Sequence, residues 1–445
     1  MDLEQRLRSL GLGVPELLLP GAEVDPVKWA VIACDQYTQD REYWERLDAA
    51  AGAAPSTLRL IYPEVYLRDP RRTERIKAIH RCMEDYLRDG VFAPPRRALV
   101  YLERATPWRP LRRGLVLAVD LECYDWSPEA RPLIRSTEGT VQERLPPRME
   151  IRRGAALESP HIILLIDDEE DALLPALGRM AGPPLYDTAL EPSAGRVAGW
   201  ALGEDAWETL ASGLERLSLR ARTRYGVSGG DPFLFAVGDG NHSLATAKAV
   251  WEEYKAAHAG EGIEDHPARW ALVELENLYD PGIAFEPIHR VLSGPLPPGE
   301  MLNLLKERLR RELPGFSARP VSGPAELSRL LGDAGAEGSR LGFIAGGEAL
   351  LTETSRGGLA TGYLQPLLDA FIAEAGVPLE IDYIHGEEEL LRLAGGALGI
   401  LLPPIRKAGL FETVARSGPL PRKSFSMGEA PEKRFYFECR RLFAG

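Results

Sequence analysis

The chain has 445 residues, 44% of them hydrophobic and 27% charged, with 44 glycines and 36 prolines spread along its length. This composition is typical of a folded globular protein and excludes a disordered or fibrous chain, and at about 150 residues per domain the length predicts two or three domains. Acidic residues outnumber basic ones by 66 to 53, a net charge of −13, so we expect no nucleic-acid partner, because the basic surface that such binding requires is absent overall.

The N-terminus and the cysteines predict a cytoplasmic protein with no membrane partner. Asp2 and the lack of an uninterrupted apolar stretch after it argue against a secretory signal, and no segment approaches the roughly 18 apolar residues of a membrane span. The four cysteines lie far apart and form no CxxC pair. Their spacing suggests neither a zinc site nor a dense disulfide framework.

Predicted strands and helices alternate through the first part of the chain, a pattern typical of α/β proteins. A polar, arginine-rich stretch over residues 134–155 interrupts the alternation just before a buried strand that begins at His161. The elements predicted before it are a strand over residues 27–33, helices over 41–52 and 72–90, and strands near 98–104 and 114–126.

A buried strand, a turn and an amphipathic helix follow one another in FLFAVGDGNHSLATAKAVW, which begins at Phe233. The Gly-Asp-Gly turn precedes the helix N-terminus, where unpaired backbone N–H groups and the helix dipole favour a phosphate or a carboxylate. Gly240 allows a positive φ or close approach of a ligand, and His242 could donate to an anion or move a proton near neutral pH. Asp239 and Asn241 also have an ordinary structural interpretation as turn and helix caps.

The rest of the chain predicts a second, smaller unit. Pro and Gly cluster in LSGPLPPGE, after which one helix and several short strands follow. The tail from Gly418 is basic and aromatic and is a candidate to return over a cleft. We therefore predict a mixed α/β fold with a larger N-terminal α/β domain, residues 1–294, that carries the site, and a smaller C-terminal α/β domain, residues 295–445.

Four segments together resemble the bacterial and archaeal family known as domain of unknown function 1015. The segment that resembles the family signature is VGDGNHSLATAKAVWEEY. The segment that resembles its upstream Glu-x-Thr and arginine region is IRSTEGTVQERLPPRMEIRRGAALESPHIILLIDD. VELENLYDPGIAFEPIHRVL resembles its Pro-x-His-Arg element, and GPLPRKSFSM its C-terminal Pro-Lys-Ser segment. The signature is in turn similar to motifs of the ParB and sulfiredoxin-like superfamily, which includes free-serine kinases. Asn241 and Ser243 stand where the family usually has His and Arg, which removes a bidentate phosphate partner.

The resemblance implies an enzyme that binds ATP or ADP with Mg²⁺ and transfers phosphate to a hydroxyl of an amino-acid-like metabolite. It implies that Glu138, Asp239 and His242 are catalytic, with Glu138 as the general base and Asp239 also as a possible Mg²⁺ ligand. The residues it implies for phosphate or nucleotide binding are Gly238, Gly240, Asn241, Ser243, Arg144, Arg148, His289 and Arg290.

Other interpretations of the same residues stay open. The arginines could form a solvated face paired with Glu143 and Glu150. The pocket could also belong to a non-catalytic nucleotide or metabolite sensor. ParB-like DNA binding is disfavoured by the net charge and by the missing helix-turn-helix signal. The sequence leaves the oligomeric state open.

Overall fold

The fold is mixed α/β, which confirms the predicted class. The computed structural model describes residues 2–191, 193–225, 230–333 and 338–443. They form two compact units, the first made of residues 1–283 with 429–445 and the second of residues 284–428. The boundary predicted from the sequence lies after residue 294. The structure has two boundaries, because the end of the chain pairs with strands of the first unit.

The first unit contains both long helices and many short strands. In chain order, its elements up to residue 283 are α1 (Leu3–Ser9), β1 (Leu12–Gly13), β2 (Glu16–Leu17), α2 (Pro26–Trp29), β3 (Val31–Ile32), α3 (Arg41–Ala51), α4 (Arg72–Arg88), β4 (Arg96–Arg97), β5 (Leu99–Ala105), β6 (Arg112–Asp120), β7 (Ile134–Ser136), α5 (Leu145–Arg152), β8 (Leu157–Glu158), β9 (Ile163–Ile166), α6 (Leu173–Gly178), β10 (Pro184–Leu190), β11 (Gly195–Leu202), α7 (Glu204–Tyr225), β12 (Phe235–Asp239), α8 (Asn241–Ala257) and β13 (Trp270–Asn277).

The second unit has its own sheet and its own apolar cores. Its elements are β14 (Phe285–Ser293), α9 (Pro298–Glu312), β15 (Ser317–Val321), α10 (Pro324–Gly332), β16 (Arg340–Ala345), β17 (Glu348–Glu353), α11 (Ala360–Glu374), β18 (Glu380–His385), α12 (Glu387–Leu393), β19 (Leu398–Leu401), α13 (Leu410–Ser417) and β20 (Phe425–Met427). Among the described residues the sheet has the order β15-β17-β16-β19-β14-β18, with β20 also paired to β14.

The main sheet of the first unit places the predicted turn at one of its edges. Within the described residues its order is β10-β11-β5-β6-β13-β9-β12-β7, with β1 paired to β6. β12 runs parallel to the edge strand β7 and antiparallel to β9. The tail adds β21 (Phe435–Tyr436) to β3 and β22 (Arg440–Arg441) to β8. The last residues of the chain are thus an integral part of the first unit.

Two strands predicted from apolar runs are shorter in the structure. Residues 26–29 form α2, because the Asp25 side chain caps the helix by accepting from Val27 N–H and Pro26 occupies its first position. Only Val31–Ile32 remains a strand. Similarly, β6 ends at Asp120, whose side chain accepts from Glu122 N–H and starts a 3₁₀ turn. In the part of the chain that the structure describes, no helix is both long and apolar enough to cross a membrane.

Candidate functional site

The Gly-Asp-Gly turn joins β12 directly to α8. Gly240 has φ 76° and ψ 27°, and a Cβ atom there would lie 3.0 Å from the Cα of Ile162. Both the left-handed backbone and the lack of space require glycine. Within the described residues no side chain caps α8, a helix of 17 residues. The turn lies at the positive end of the α8 dipole.

The loop that carries Glu138 lies beside this turn. β7 and β12 are parallel neighbours, so their carboxyl ends meet at the same edge of the sheet. The Thr137 hydroxyl donates to the Val237 carbonyl at 2.6 Å, and Val141 N–H donates to Nε2 of His242 at 3.3 Å. Glu138, which is half-buried, follows β7 in this loop. The structure thus brings Glu138 and His242 to the carboxyl ends of adjacent strands, a common location of ligand sites in α/β folds.

The C-terminal tail contributes two residues that the sequence analysis does not single out. Lys433 is buried, and its Nζ lies 3.2 Å from Oδ2 of Asp239. The Tyr436 hydroxyl lies 2.7 Å from Nδ1 of His161. The basic and aromatic composition of the tail is the available sequence signal, but it does not indicate which residues these side chains contact.

An ammonium group lies next to the carboxylate of Asp239. Its Oδ1 accepts from Gly240 N–H at 2.9 Å, and its Oδ2 faces Lys433. Burial raises the pKa of the Asp239 carboxyl, but Lys433 and His161 together hold that pKa below its ordinary value. Among the residues described, no group of three or more His, Cys, Asp and Glu side chains could hold a metal. The Mg²⁺ role predicted for Asp239, in which phosphates of the ligand would supply the other oxygens, stays a prediction.

A cavity of about 150 Å³ lies against the first turn of α8. Ser243 and Thr246 line it from the helix, and His161 and Tyr436 line it from the segments before β9 and from β21. The opposite wall is apolar. Its residues include Leu60, Ile61, Met83, Ile151, Leu157 and Leu442.

Three arginines of residues 134–155 have carboxylate partners within the first unit: Arg148, Arg152 and Arg153. Arg148 Nε donates to Glu64 Oε1 at 2.9 Å, and Arg152 lies 2.5 Å from Glu158. Burial raises the pKa of the Glu64 carboxyl, although Arg148 opposes that rise. Arg144 is exposed, and its carbonyl accepts from Arg148. Arg148 and Arg152 thus pair with Glu64 and Glu158, and not with the Glu143 and Glu150 of the solvated face considered from the sequence.

His289 and Arg290 belong to the second unit and are held by partners there. Arg290 is fully buried and donates through Nε to Gln365 at 3.1 Å. His289 Nδ1 accepts from Leu402 N–H at 3.1 Å. Burial, and secondarily the charge of Arg290, lower the pKa of His289 to about 4. The structure does not bring these two residues into the compact unit that contains the turn.

We expect the buried His289 to make the second unit less stable in acid. Its pKa is about 4 in the folded chain and ordinarily 6.5, so the unfolded state binds the extra proton as the pH falls below 6.5. Between pH 7.5 and 5.0 this should cost about 2 kcal/mol of unfolding free energy. Urea unfolding followed by far-UV circular dichroism measures this free energy at both pH values. Between pH 7.5 and 5.0, His289→Asn should lose about 2 kcal/mol less than wild type. Parallel pH profiles of the two proteins would contradict the expectation.

Most of the chain is similar to one protein family and to several solved structures. The family model described as "Protein of unknown function (DUF1015)" matches residues 18–370. A conserved hypothetical protein from Pyrococcus furiosus is 12% identical, with 74% of this chain and 97% of that chain covered and a TM-score of 0.36. A free serine kinase in complex with AMP is 13% identical, with 74% and 92% covered and a TM-score of 0.39. SbnI with a C-terminal truncation, from Staphylococcus aureus, is 10% identical, with 70% and 82% covered and a TM-score of 0.36.

The search of curated proteins found no match. With TM-scores below 0.4, the similar structures assign no activity to this chain.

Proposed function

We propose that this chain, which belongs to the DUF1015 family, binds a phosphorylated small molecule, most simply a nucleotide, at the turn between β12 and α8. The observation that carries the proposal is the α8 N-terminus, which starts from the left-handed Gly240 without a side-chain cap among the described residues. Such a terminus offers backbone N–H donors and the positive end of the helix dipole to a phosphate. Gly238, the first glycine of the turn, is a further candidate contact for that phosphate.

Lys433 supports the proposal as an ammonium donor beside the turn, where it is paired with Asp239. Its ammonium group lies 3.2 Å from Asp239, which in turn accepts from Gly240 N–H. Asp239 therefore positions Lys433 at the helix end, and no metal is needed to hold that charge there. Arg144, exposed at the start of α5, is a further candidate contact for a phosphate.

We further propose transfer of the terminal phosphoryl group to a hydroxyl of an amino-acid-like metabolite. Glu138 is the candidate base, because it lies in the loop that Thr137 and Val141 tie to β12 and α8. It would take the proton of the acceptor hydroxyl as the acceptor oxygen bonds to phosphorus and the bond to the leaving phosphate breaks. Lys433 and the helix end would stabilise the charge on the phosphoryl oxygens.

Binding is tested by thermal denaturation with AMP, ADP, ATP, GTP, CTP and pyrophosphate, each with and without Mg²⁺. AMP and ADP are included because they are the ligands of the free serine kinase structures. A ligand at about 100 times its Kd should stabilise the protein by about 2.7 kcal/mol. Lys433→Met should lose the stabilisation, measured against its own ligand-free midpoint. Lys255→Met, near the other end of α8, is the matched control and should keep it.

Two results would contradict this proposal. The first is that no phosphate compound stabilises the wild-type protein, and the second is that the stabilisation persists in Lys433→Met. For phosphoryl transfer, Glu138→Gln should bind the same nucleotide within about twofold and lose turnover by a factor of about 100 or more. If wild-type protein binds but shows no transfer to any amino-acid hydroxyl, the site is that of a sensor.

A further inference from the structure

A series of hydrogen bonds runs from Ser243 through His161 to the tail. The Ser243 hydroxyl lies 2.8 Å from Nε2 of His161, and the Tyr436 hydroxyl lies 2.7 Å from Nδ1 on the other side of the ring. Tyr436 also accepts from Cys34 N–H at 3.2 Å. A hydroxyl, an imidazole and a group that orients the imidazole therefore lie in sequence, the arrangement that activates a serine as a nucleophile.

The Tyr436 hydroxyl can hold His161 in the tautomer that this role needs. When Nδ1 carries the proton and donates to Tyr436, Nε2 keeps its lone pair and accepts the Ser243 proton. Burial, and secondarily Cys34, raise the pKa of Tyr436 well above its ordinary value, so the phenol stays neutral. The position of Tyr436 is itself fixed by Cys34 N–H and by the pairing of β21 with β3.

The cavity beside these residues suits an uncharged acyl group better than a phosphate. Both arginines that line it are paired, Arg148 with Glu64 and Arg152 with Glu158. Its opposite wall is apolar, and its volume of about 150 Å³ is below the roughly 300–1,000 Å³ typical of sites for drug-sized ligands. A short aliphatic acyl chain matches both the size and the polarity.

We propose that Ser243 is the nucleophile of a hydrolase site for uncharged, short-chain carboxylic esters, with His161 as its base and Tyr436 as a positioning residue. This activity goes beyond the proposed phosphate site and does not depend on it. The Ser243 oxygen bonds to the ester carbonyl carbon while its proton passes to His161 Nε2. The carbon–oxygen bond to the alcohol then breaks, and the departing alkoxide takes that proton.

Water completes the cycle as the second reactant. It attacks the acyl-serine and gives one proton to His161 Nε2, and that proton returns to the Ser243 oxygen as the carboxylic acid leaves. Ser243 is the third residue of α8, so the positive end of the helix dipole favours the oxyanion formed in each half of the reaction. Cys34 also lines the cavity, but burial raises the pKa of its thiol, and a protonated thiol is a poor nucleophile.

The test uses the full chain, a fluorophosphonate probe and the p-nitrophenyl esters of acetate and butyrate. We expect the probe to label Ser243, as located by peptide mass spectrometry, and Ser243→Ala and His161→Ala to lose labelling and at least about 100-fold of ester hydrolysis. Ser159→Ala is the matched control. Ser159 lines the same cavity, but its hydroxyl donates to the Glu438 carbonyl at 2.7 Å, so labelling should not change.

A thermal melt of each variant, compared with wild type, separates loss of chemistry from loss of fold. Label on another residue, hydrolysis unchanged in Ser243→Ala, or no labelling of folded wild-type protein at pH 8 would overturn the proposal. Tyr436→Phe tests the positioning role, since His161 then loses a hydrogen-bond partner. The pH midpoint of labelling should move in this variant. An unmoved midpoint would overturn the role assigned to Tyr436.

Discussion

Arg434→Met should lower the free energy of unfolding of the first unit by about 3–5 kcal/mol, because removing one member of a buried ion pair leaves its partners uncompensated. Arg434 is almost fully buried. Its Nη1 lies 2.7 Å from Oε2 of Glu274, and its Nη2 is hydrogen-bonded to Glu438. Both glutamates are also fully buried. Burial raises the pKa of Glu274, but Arg434 and Arg112 hold that pKa below its ordinary value. Without Arg434 this carboxylate would lose its main compensating charge.

The measurement is urea unfolding followed by tryptophan fluorescence. The eight tryptophans of the chain lie between Trp29 and Trp270, so this signal reports on the first unit alone. Arg196→Met is the control, because Arg196 pairs with Asp187 on the exposed surface, where ion pairs contribute little. Its unfolding midpoint should match that of wild type. An equal effect of the two substitutions would show that burial of the Arg434 pairs is not what stabilises the tail.

Gly240→Ala should destabilise the first unit by about 3 kcal/mol. The left-handed backbone costs an alanine about 1–2 kcal/mol, and the added Cβ would lie 3.0 Å from the Cα of Ile162, a backbone atom that cannot move aside easily. Gly260 has the same handedness, with φ 87°, but nothing lies within 4 Å of an added Cβ. Gly260→Ala should therefore lower the free energy of unfolding only by the about 1–2 kcal/mol of the left-handed backbone.

The same fluorescence measurement separates the two costs at Gly240. Nucleotide binding should weaken in Gly240→Ala and not in Gly260→Ala if the phosphate approaches the turn at residues 238–241. Equal destabilisation by both alanines would show that the contact with Ile162 contributes nothing.

Local patterns in the sequence predicted the elements around the turn well. The apolar run before Gly238 and the helical spacing after Ser243 predict β12 and α8, since these signals depend only on neighbouring residues. Residues 27–29 belong to a predicted strand but form part of a helix, because the Asp25 cap and Pro26 outweigh the apolar run. The resemblance pointed to Glu138, and the pairing of β7 with β12 explains why that loop reaches the turn.

The contacts that complete the site depend on tertiary structure and could not be read from spacing. Lys433 contacts Asp239, and Tyr436 contacts His161, although all residues of the second unit lie between these partners in the sequence. The place of His161 at the start of an apolar run says nothing about its hydrogen bond to Ser243. The site roles predicted for Glu138, His242 and Arg144 stay predictions.

The pairing of the tail with the first unit sets an order of events at the ribosome. Residues 284–428 are synthesised before Lys433 and Tyr436, and at about 5–20 residues per second the delay is on the order of ten seconds. Throughout that interval the nascent first unit has an unpaired β3 and a Glu274 without Arg434. Neither the lysine at the turn nor the tyrosine behind His161 is yet present. Translation order therefore postpones completion of both proposed sites until the second unit has been made.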